Sequence, residues 1–126
     1  MRLFFLSTAV ILLATIQAQA LAQERLNSDA IKSKLTGNTV ILVTNELDLT
    51  TGYLEADGSM RGHIRGEKYT GSWEVKEGDL LCFDLPGRTF DSCRRVFQYS
   101  DFLQLHATTG TPSGRIEILS GNYYDL

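Results

Sequence analysis

At 126 residues the chain is long enough for one domain. Its 43% hydrophobic and 21% charged residues are typical of a folded globular protein and argue against disorder. The formal net charge of −3 gives no strong attraction to nucleic acid or to an anionic membrane surface, so neither is an expected partner.

The first 22 residues, 1–22, have the pattern of a signal peptide. Arg2 supplies a short positive region, and residues 3–16 are almost wholly apolar. Small residues in the A-x-A pattern follow, which predicts cleavage after Ala22 or, alternatively, after Ala20. The apolar run is shorter than the roughly 20 residues needed to span a bilayer. The sequence therefore predicts export of a mature chain, periplasmic or secreted, that has no transmembrane segment.

The mature part, residues 23–126, is predicted to form a single β domain that begins with one short helix over residues 26–37. Asn27 or Ser28 can cap the start of this helix. Ile31 and Leu35 are four residues apart, so they share one face and give the helix an apolar stripe.

About eight antiparallel strands are predicted after the helix, in a small barrel or a strongly bent sheet. Turn residues recur every 8–12 residues, the spacing typical of such folds. Asp57-Gly58 predicts a tight hairpin with positive φ at both turn positions. The predicted strands are residues 39–44, 52–56, 59–64, 69–76, 80–85, 92–99, 102–107 and 115–119, and residues 108–114 are predicted to form a loop.

Aromatic side chains follow one face of the predicted strands. In residues 69–76 apolar or small residues alternate strictly with polar ones, which places Tyr69 and Trp73 on the same side. Phe83 lies on the next predicted strand and Phe97 on the one after it. These four residues are predicted to form either a packed core or the wall of a pocket for a small apolar ligand.

The two cysteines, Cys82 and Cys93, are predicted to form a structural disulfide. An exported chain meets an oxidising compartment, and closing a loop of this length contributes roughly 3 kcal/mol. Ten residues separate the two thiols, so they do not form a C-x-x-C redox motif. No second cysteine pair or histidine cluster lies nearby to complete a zinc site.

The sequence contains no catalytic signature, and we predict no catalytic, cofactor-binding or metal-binding residues. The two histidines, His63 and His106, lie in no recognisable motif, and the acidic residues are scattered. One basic cluster, formed by Arg88, Arg94 and Arg95, is interpreted either as an anion or partner contact or as strand residues facing opposite sides, balanced by Asp84 and Asp91.

Several segments together resemble a family of small, uncharacterised exported proteins of alphaproteobacteria with a lipocalin-like β domain. The segments are L-T-G-N-T at residues 35–39, A-D-G-S at 56–59, Y-T-G-S-W-E-V at 69–75 and G-D-L-L-C-F at 78–83, with Cys93 after a Pro-Gly turn. The resemblance implies a periplasmic, barrel-like domain, and its cysteine pattern matches the predicted disulfide. It implies no activity.

Two hypotheses of function follow from the sequence. The first is a binding module for a small apolar ligand or a protein partner, which includes an inhibitor of a hydrolase. The alternative is a small hydrolytic or acid–base enzyme that uses His63 or His106 with a nearby carboxylate.

Overall fold

The computed structural model of the protein describes residues 24–44, 49–87 and 93–126. The predicted signal peptide lies outside the described residues. The described elements in chain order are β1 (Glu24–Arg25), α1 (Ser28–Leu35), β2 (Thr39–Thr44), β3 (Leu49–Leu54), β4 (Ser59–Ile64), β5 (Glu67–Lys76), β6 (Leu80–Asp84), β7 (Cys93–Gln98), β8 (Leu103–His106) and β9 (Pro112–Leu119).

Strands β2 to β9 form a closed eight-stranded antiparallel barrel. Each strand pairs with the next along the chain, and β9 pairs back with β2, where Thr39 faces Leu119 and Thr44 faces Gly114. The extra strand β1 pairs with the end of β7. The predicted fold class is confirmed, and of the two predicted shapes the structure adopts the barrel.

Alternation along β5 shows how the sequence determines which residues face the barrel interior. Tyr69 and Trp73 are buried. The residues between and after them, Thr70, Ser72, Glu74 and Lys76, are all exposed. Successive side chains of a strand point to opposite faces, so this strand has one apolar and one solvated face, as predicted.

The helix α1 lies across one end of the barrel, which we call the helix end. The Asn27 side chain caps it by accepting a hydrogen bond from the Ala30 amide at 2.9 Å, and Ile31 and Leu35 are fully buried in the core. After the helix, the Gly37 amide donates to the Leu54 carbonyl at the end of β3, at 2.7 Å. The predicted helix and its apolar stripe are confirmed.

The turn between β5 and β6 holds the other end of the helix. One carboxylate oxygen of Asp79 accepts hydrogen bonds from both the amide and the hydroxyl of Ser28, each at 2.7 Å. The Arg25 guanidinium also donates to the Gly78 carbonyl at 2.8 Å. Because α1 is tied to this turn and to the end of β3, it covers the helix end.

These contacts predict an acid-sensitive contribution of Asp79 to stability. The hydrogen bonds from Ser28 hold the pKa of the Asp79 carboxyl below its ordinary value of 3.8. Because the pKa of Asp79 is lower in the folded chain than in the unfolded chain, its charged form stabilises the fold at pH values above its ordinary pKa. This stabilisation is lost as the pH falls through the pKa that Asp79 has in the folded chain. Asp79→Asn keeps a side chain that tolerates the positive φ of 58° at this position. We expect Asp79→Asn to have a lower melting temperature than the wild type at neutral pH. The difference in melting temperature between the two proteins should shrink as the pH falls.

The matched control is Asp84→Asn, which removes an exposed carboxylate at the end of β6. Thermal unfolding followed by circular dichroism between neutral and acid pH measures all three proteins. A constant difference between Asp79→Asn and the wild type across this range would contradict the account of Asp79.

The disulfide between Cys82 and Cys93 is confirmed, with an S–S distance of 2.07 Å. It joins two residues that face each other on β6 and β7. In the described residues β6 and β7 share only three paired positions. The disulfide therefore joins two neighbouring strands that few backbone hydrogen bonds hold together.

Replacing both cysteines by alanine is expected to lower the free energy of unfolding by roughly 3 kcal/mol while strand content is retained. Urea unfolding with and without a reductant gives the measurement. The reduced wild type should match the double variant. An oxidised wild type no more stable than the variant would refute this role of the disulfide.

Two turns differ from the sequence prediction. At Asp57-Gly58 the hairpin is confirmed, but the predicted turn type is wrong, because only Gly58 has a positive φ, of 91°. The Glu55 amide donates to the Ser59 carbonyl, and the Gly58 amide to the Glu55 carbonyl, which makes a three-residue loop. The Asp57 carboxylate accepts from the Ser59 amide at 2.8 Å and stabilises this longer turn.

The second difference is at residues 108–114, where the last strand already begins at Pro112 instead of residue 115. Pro112 pairs with His106 next to an irregularity in register at the end of β8. A proline is accommodated at the first position of a strand, so the loop-like composition there conceals the start of β9.

Candidate functional site

The candidate site is the barrel interior, and three of the four predicted aromatic residues lie in it. Tyr69, Trp73 and Phe83 are all at most 9% exposed and belong to the same buried core. Trp73 faces Phe83 across β5 and β6, and its indole nitrogen donates to the Glu55 carbonyl at 2.9 Å. The ring of Trp73 is therefore fixed near the helix end.

Phe97 lies apart from these three residues. Its neighbour Val96 is fully buried, so Phe97 projects from the opposite face of β7. Its ring centroid is 4.2 Å from that of His106, on the outside of the barrel.

Tyr69 extends across two inward-facing glycines. Its hydroxyl donates to the Thr51 carbonyl at 2.9 Å, and a Cβ placed on Gly52 would be 2.7 Å from that hydroxyl oxygen. Burial raises the pKa of the Tyr69 hydroxyl well above its ordinary value, so the side chain is neutral at physiological pH. The absence of a side chain at Gly52 thus leaves space for the Tyr69 hydroxyl.

In the part of the chain that the structure describes, two threonine hydroxyls are buried without a hydrogen-bond partner. They belong to Thr44, the last residue of β2, and to Thr50 on β3, which is 1% exposed. Thr50 is paired with Leu42, a core residue, and Thr44 with Gly114. By alternation, therefore, both threonines face the interior. Leaving a buried hydroxyl unpaired costs about 1–3 kcal/mol, so two such groups in one region are a departure from ordinary packing.

These threonines lie toward the end of the barrel opposite α1, which we call the far end; there β2 finishes at Thr44 and β4 at Ile64. Residues 45–48, which follow β2 in the chain, and residues 88–92, which precede β7, lie outside the described residues. Gly114, which pairs with Thr44, has no side chain, and a Cβ there would lie 2.9 Å from the Val43 carbonyl oxygen of β2.

The described interior is mainly apolar, but its face includes Arg94 of β7, which pairs with the buried Leu81 and alternates with the buried Val96. Among the described residues, the buried polar side chains are Thr39 and Thr50, and none of the buried residues is charged. Thr39 is satisfied, since its hydroxyl donates to the Gly121 carbonyl at 2.7 Å and accepts from the Tyr123 amide at 3.0 Å. The Thr44 and Thr50 hydroxyls differ from that of Thr39 in having no such partner.

Both histidines lie on the outer surface of the barrel. His63 is half-buried and alternates with Gly62 and Ile64, which face inward. His106 is also half-buried, and its Nε2 lies 2.7 Å from the Gln104 side-chain oxygen. The described residues hold no group of three or more His, Cys, Asp or Glu side chains that could bind a metal ion.

The predicted basic cluster is divided between the two faces of β7. Arg94 pairs with the buried Leu81, whereas Arg95 pairs with His106, so the two guanidinium groups start from opposite sides of the strand. This is the arrangement expected of adjacent strand residues. Arg88 and Asp91 lie outside the described residues.

No protein-family model, curated protein or solved structure matches this chain. The resemblance to exported alphaproteobacterial proteins therefore stays a prediction. Across the described ranges no helix has both the length and the apolar character to span a membrane. What can be inferred about function consequently rests on the barrel and its interior side chains.

Proposed function

We propose that this protein is a binding module whose barrel interior takes a small, largely apolar molecule from the far end. The observation that carries the proposal is the pair of buried, unpaired hydroxyls of Thr44 and Thr50, which face the interior of the closed barrel. A closed barrel leaves no free strand edge along its wall, so its interior is the natural place for a small ligand.

Two further features support entry from the far end and a largely apolar ligand. The helix α1 covers the helix end with the buried side chains of Ile31 and Leu35, which leaves the far end for entry. Most of the described interior side chains are apolar or aromatic, as is usual for sites that hold small molecules with a few placed polar groups.

Fluorescence titration with N-phenyl-naphthylamine, a neutral apolar dye, tests the proposal. We expect saturable binding of one dye per chain with blue-shifted emission. Thr50→Leu places a larger side chain inside the barrel and should abolish or strongly weaken this binding. Thr70→Leu is the matched control, because Thr70 is exposed on the outer face of β5.

Circular dichroism of each variant establishes that its strand content is retained. Absence of saturable binding by the wild type would refute the proposal. Equal binding by folded Thr50→Leu and Thr70→Leu would place the dye on the outer surface and would also refute it.

Export of the mature chain belongs to the same proposal. A cross-strand disulfide is compatible with an oxidising compartment. The intact mass of protein recovered from the soluble exported fraction should correspond to a chain beginning at Gln23 or Leu21. The hypotheses of a protein partner, of hydrolase inhibition and of acid–base catalysis stay predictions from the sequence.

A further inference from the structure

We propose that the protein forms a dimer in solution, in which two copies pack through the outer face of β2, β3 and β9. This inference is independent of the proposed binding function, because it concerns the side of the barrel and not its interior. We call this face the outer patch, and it consists of the outward-facing residues Ile41, Val43, Leu49, Arg115 and Glu117.

Strand β2 contributes two apolar side chains that point away from the core. Val40 and Leu42 of this strand are buried in the core, so by alternation Ile41 and Val43 face outward, and both are half-buried. On β5, by contrast, the outward-facing residues within 70–76 are all polar and exposed. The outer surface of the barrel is therefore apolar along β2 and polar along β5.

The strands on either side of β2 add a third apolar residue and one pair of opposite charges. Val43 pairs with Leu49 on β3 and with Arg115 on β9. Ile41 pairs with Glu117 on β9. The outer patch thus has two rows that cross the strands, and each row has one charged residue on β9 beside an apolar residue on β2. Leu49, at the end of the first row, is 55% exposed.

Two exposed tyrosines lie at the margin of the outer patch. Among the described residues, the large hydrophobic side chains that are exposed belong to Leu49, Tyr123 and Tyr124. The Tyr123 amide donates to the hydroxyl of Thr39, which stands two positions before Ile41 on the outer face of β2. The Tyr124 ring centroid is 5.0 Å from that of Tyr123. Exposed apolar side chains gathered on one wall in this way are typical of an interaction surface.

The charges of the outer patch favour a second copy of this chain as the partner. The Arg115 guanidinium lies 2.5 Å from the Glu117 carboxylate, and both side chains are 47% exposed. One positive and one negative charge give the patch no net charge, which favours neither an anionic membrane surface nor a strongly charged protein. Guanidinium and carboxylate groups each form several hydrogen bonds, so both can bind a further partner of opposite charge.

A two-fold axis that crosses the strands midway between the two rows makes the outer patch complementary to itself. In a symmetric dimer of this kind, the same surface is used by both copies and every contact occurs twice. Arg115 of one copy then faces Glu117 of the other, and Val43 faces Ile41. Because the patch lies on the side of the barrel, the dimer leaves the far end uncovered.

Sedimentation velocity of the purified wild-type protein, from micromolar to millimolar concentration, tests the proposal. We expect a monomer–dimer equilibrium in which the dimer becomes populated within this range. Leu49→Glu should weaken the dimer by about tenfold or more, because it places a charge where the two copies meet. Glu74→Arg changes an exposed charge on the outer face of β5 and is the control, which should leave the equilibrium unchanged.

Two charge-reversal variants test the symmetry of the contact. Arg115→Glu gives the outer patch two negative charges, and Glu117→Arg gives it two positive charges. Each variant alone should therefore dimerise about tenfold more weakly than the wild type. An equimolar mixture of the two variants should form a heterodimer, because every charge then faces an opposite one. Circular dichroism establishes that each variant retains its strand content.

Three results would overturn the proposal. The first is a wild-type protein that stays monomeric up to millimolar concentration, and the second is a mixture of the charge-reversal variants that associates no better than either one alone. The third is a dimer that Glu74→Arg weakens and Leu49→Glu does not, which would place the interface on the polar wall. Cosedimentation of the monomeric wild type with zwitterionic lipid vesicles would identify a lipid surface as the partner of the patch and would also refute the dimer. Dye binding inside the barrel is measured separately, and neither experiment decides the other.

Discussion

Trp73→Ala is expected to lower the free energy of unfolding by about 3–5 kcal/mol, which is a large fraction of the stability of a small domain. The side chain is 7% exposed, faces Phe83 and donates its indole N–H to the Glu55 carbonyl. Alanine would remove the ring from the core and one of the two donors to that carbonyl, which also accepts from the Gly58 amide. Urea unfolding followed by circular dichroism measures the change.

Two variants separate the contributions at this position. Trp73→Phe keeps an aromatic ring and loses the hydrogen bond, so it should cost less than alanine. Glu74→Ala alters the adjacent exposed residue and should change stability by no more than about 0.5 kcal/mol. Trp73 is the single tryptophan of the chain, so wild-type emission should be blue-shifted and poorly quenched by acrylamide. A near-neutral Trp73→Ala with freely quenched emission would contradict the assignment of the interior face.

Gly62→Ala is expected to destabilise the barrel by about 3 kcal/mol or more. A Cβ on Gly62 would lie 1.8 Å from the Thr51 carbonyl oxygen and 2.8 Å from the Gly52 Cα. These are main-chain atoms of β3, so the strand itself would have to move away from β4. The same carbonyl accepts the Tyr69 hydroxyl, and that contact would be disturbed as well.

Gly52→Ala provides a graded comparison for this effect. The atoms nearest to a Cβ on Gly52 are the Met60 Cε, at 2.3 Å, and the Tyr69 hydroxyl oxygen, both at the ends of side chains. Side chains can rotate where strands cannot, so Gly52→Ala should cost less than Gly62→Ala in the same urea experiment. The reverse order would show that the close approach of β3 and β4 is not what requires glycine at position 62.

The sequence predicted those elements in which local pattern and tertiary packing agree. The strand over residues 39–44 was predicted with the bounds observed for β2, because a β-branched apolar run favours an extended backbone. The strict alternation around Trp73 determined which side of β5 is buried. The sequence offered Asn27 or Ser28 as the helix cap, because both residue types favour that position, and the structure shows that Asn27 is the cap.

Other features depended on information that local pattern does not contain. The third strand begins at Leu49, three residues before the predicted start at residue 52, so Thr50 was not assigned to a strand face. Phe97 was grouped with the interior aromatics, but β7 has apolar residues at two successive positions and the structure buries Val96. Periodicity gives two faces of such a strand, and only closure of the barrel decides which one is inside.

The two threonines were missed for a related reason. Threonine is a common strand residue, so its presence in β2 and β3 indicates only an extended backbone. The signal is the absence of a hydrogen-bond partner, which exists only once the strands are paired around an interior. The sequence alone does indicate that Thr44 is on the same face of its strand as Leu42, because the two residues are two positions apart.

The most direct test of binding inside the barrel is an NMR experiment on the wild-type protein saturated with N-phenyl-naphthylamine. Nuclear Overhauser contacts report which protein protons lie within a few ångströms of the bound ring. We expect contacts from the bound dye to the side-chain methyl groups of Thr44 and Thr50, inside the barrel. Contacts confined to outward-facing residues, such as the exposed Tyr123 and Tyr124, would contradict it.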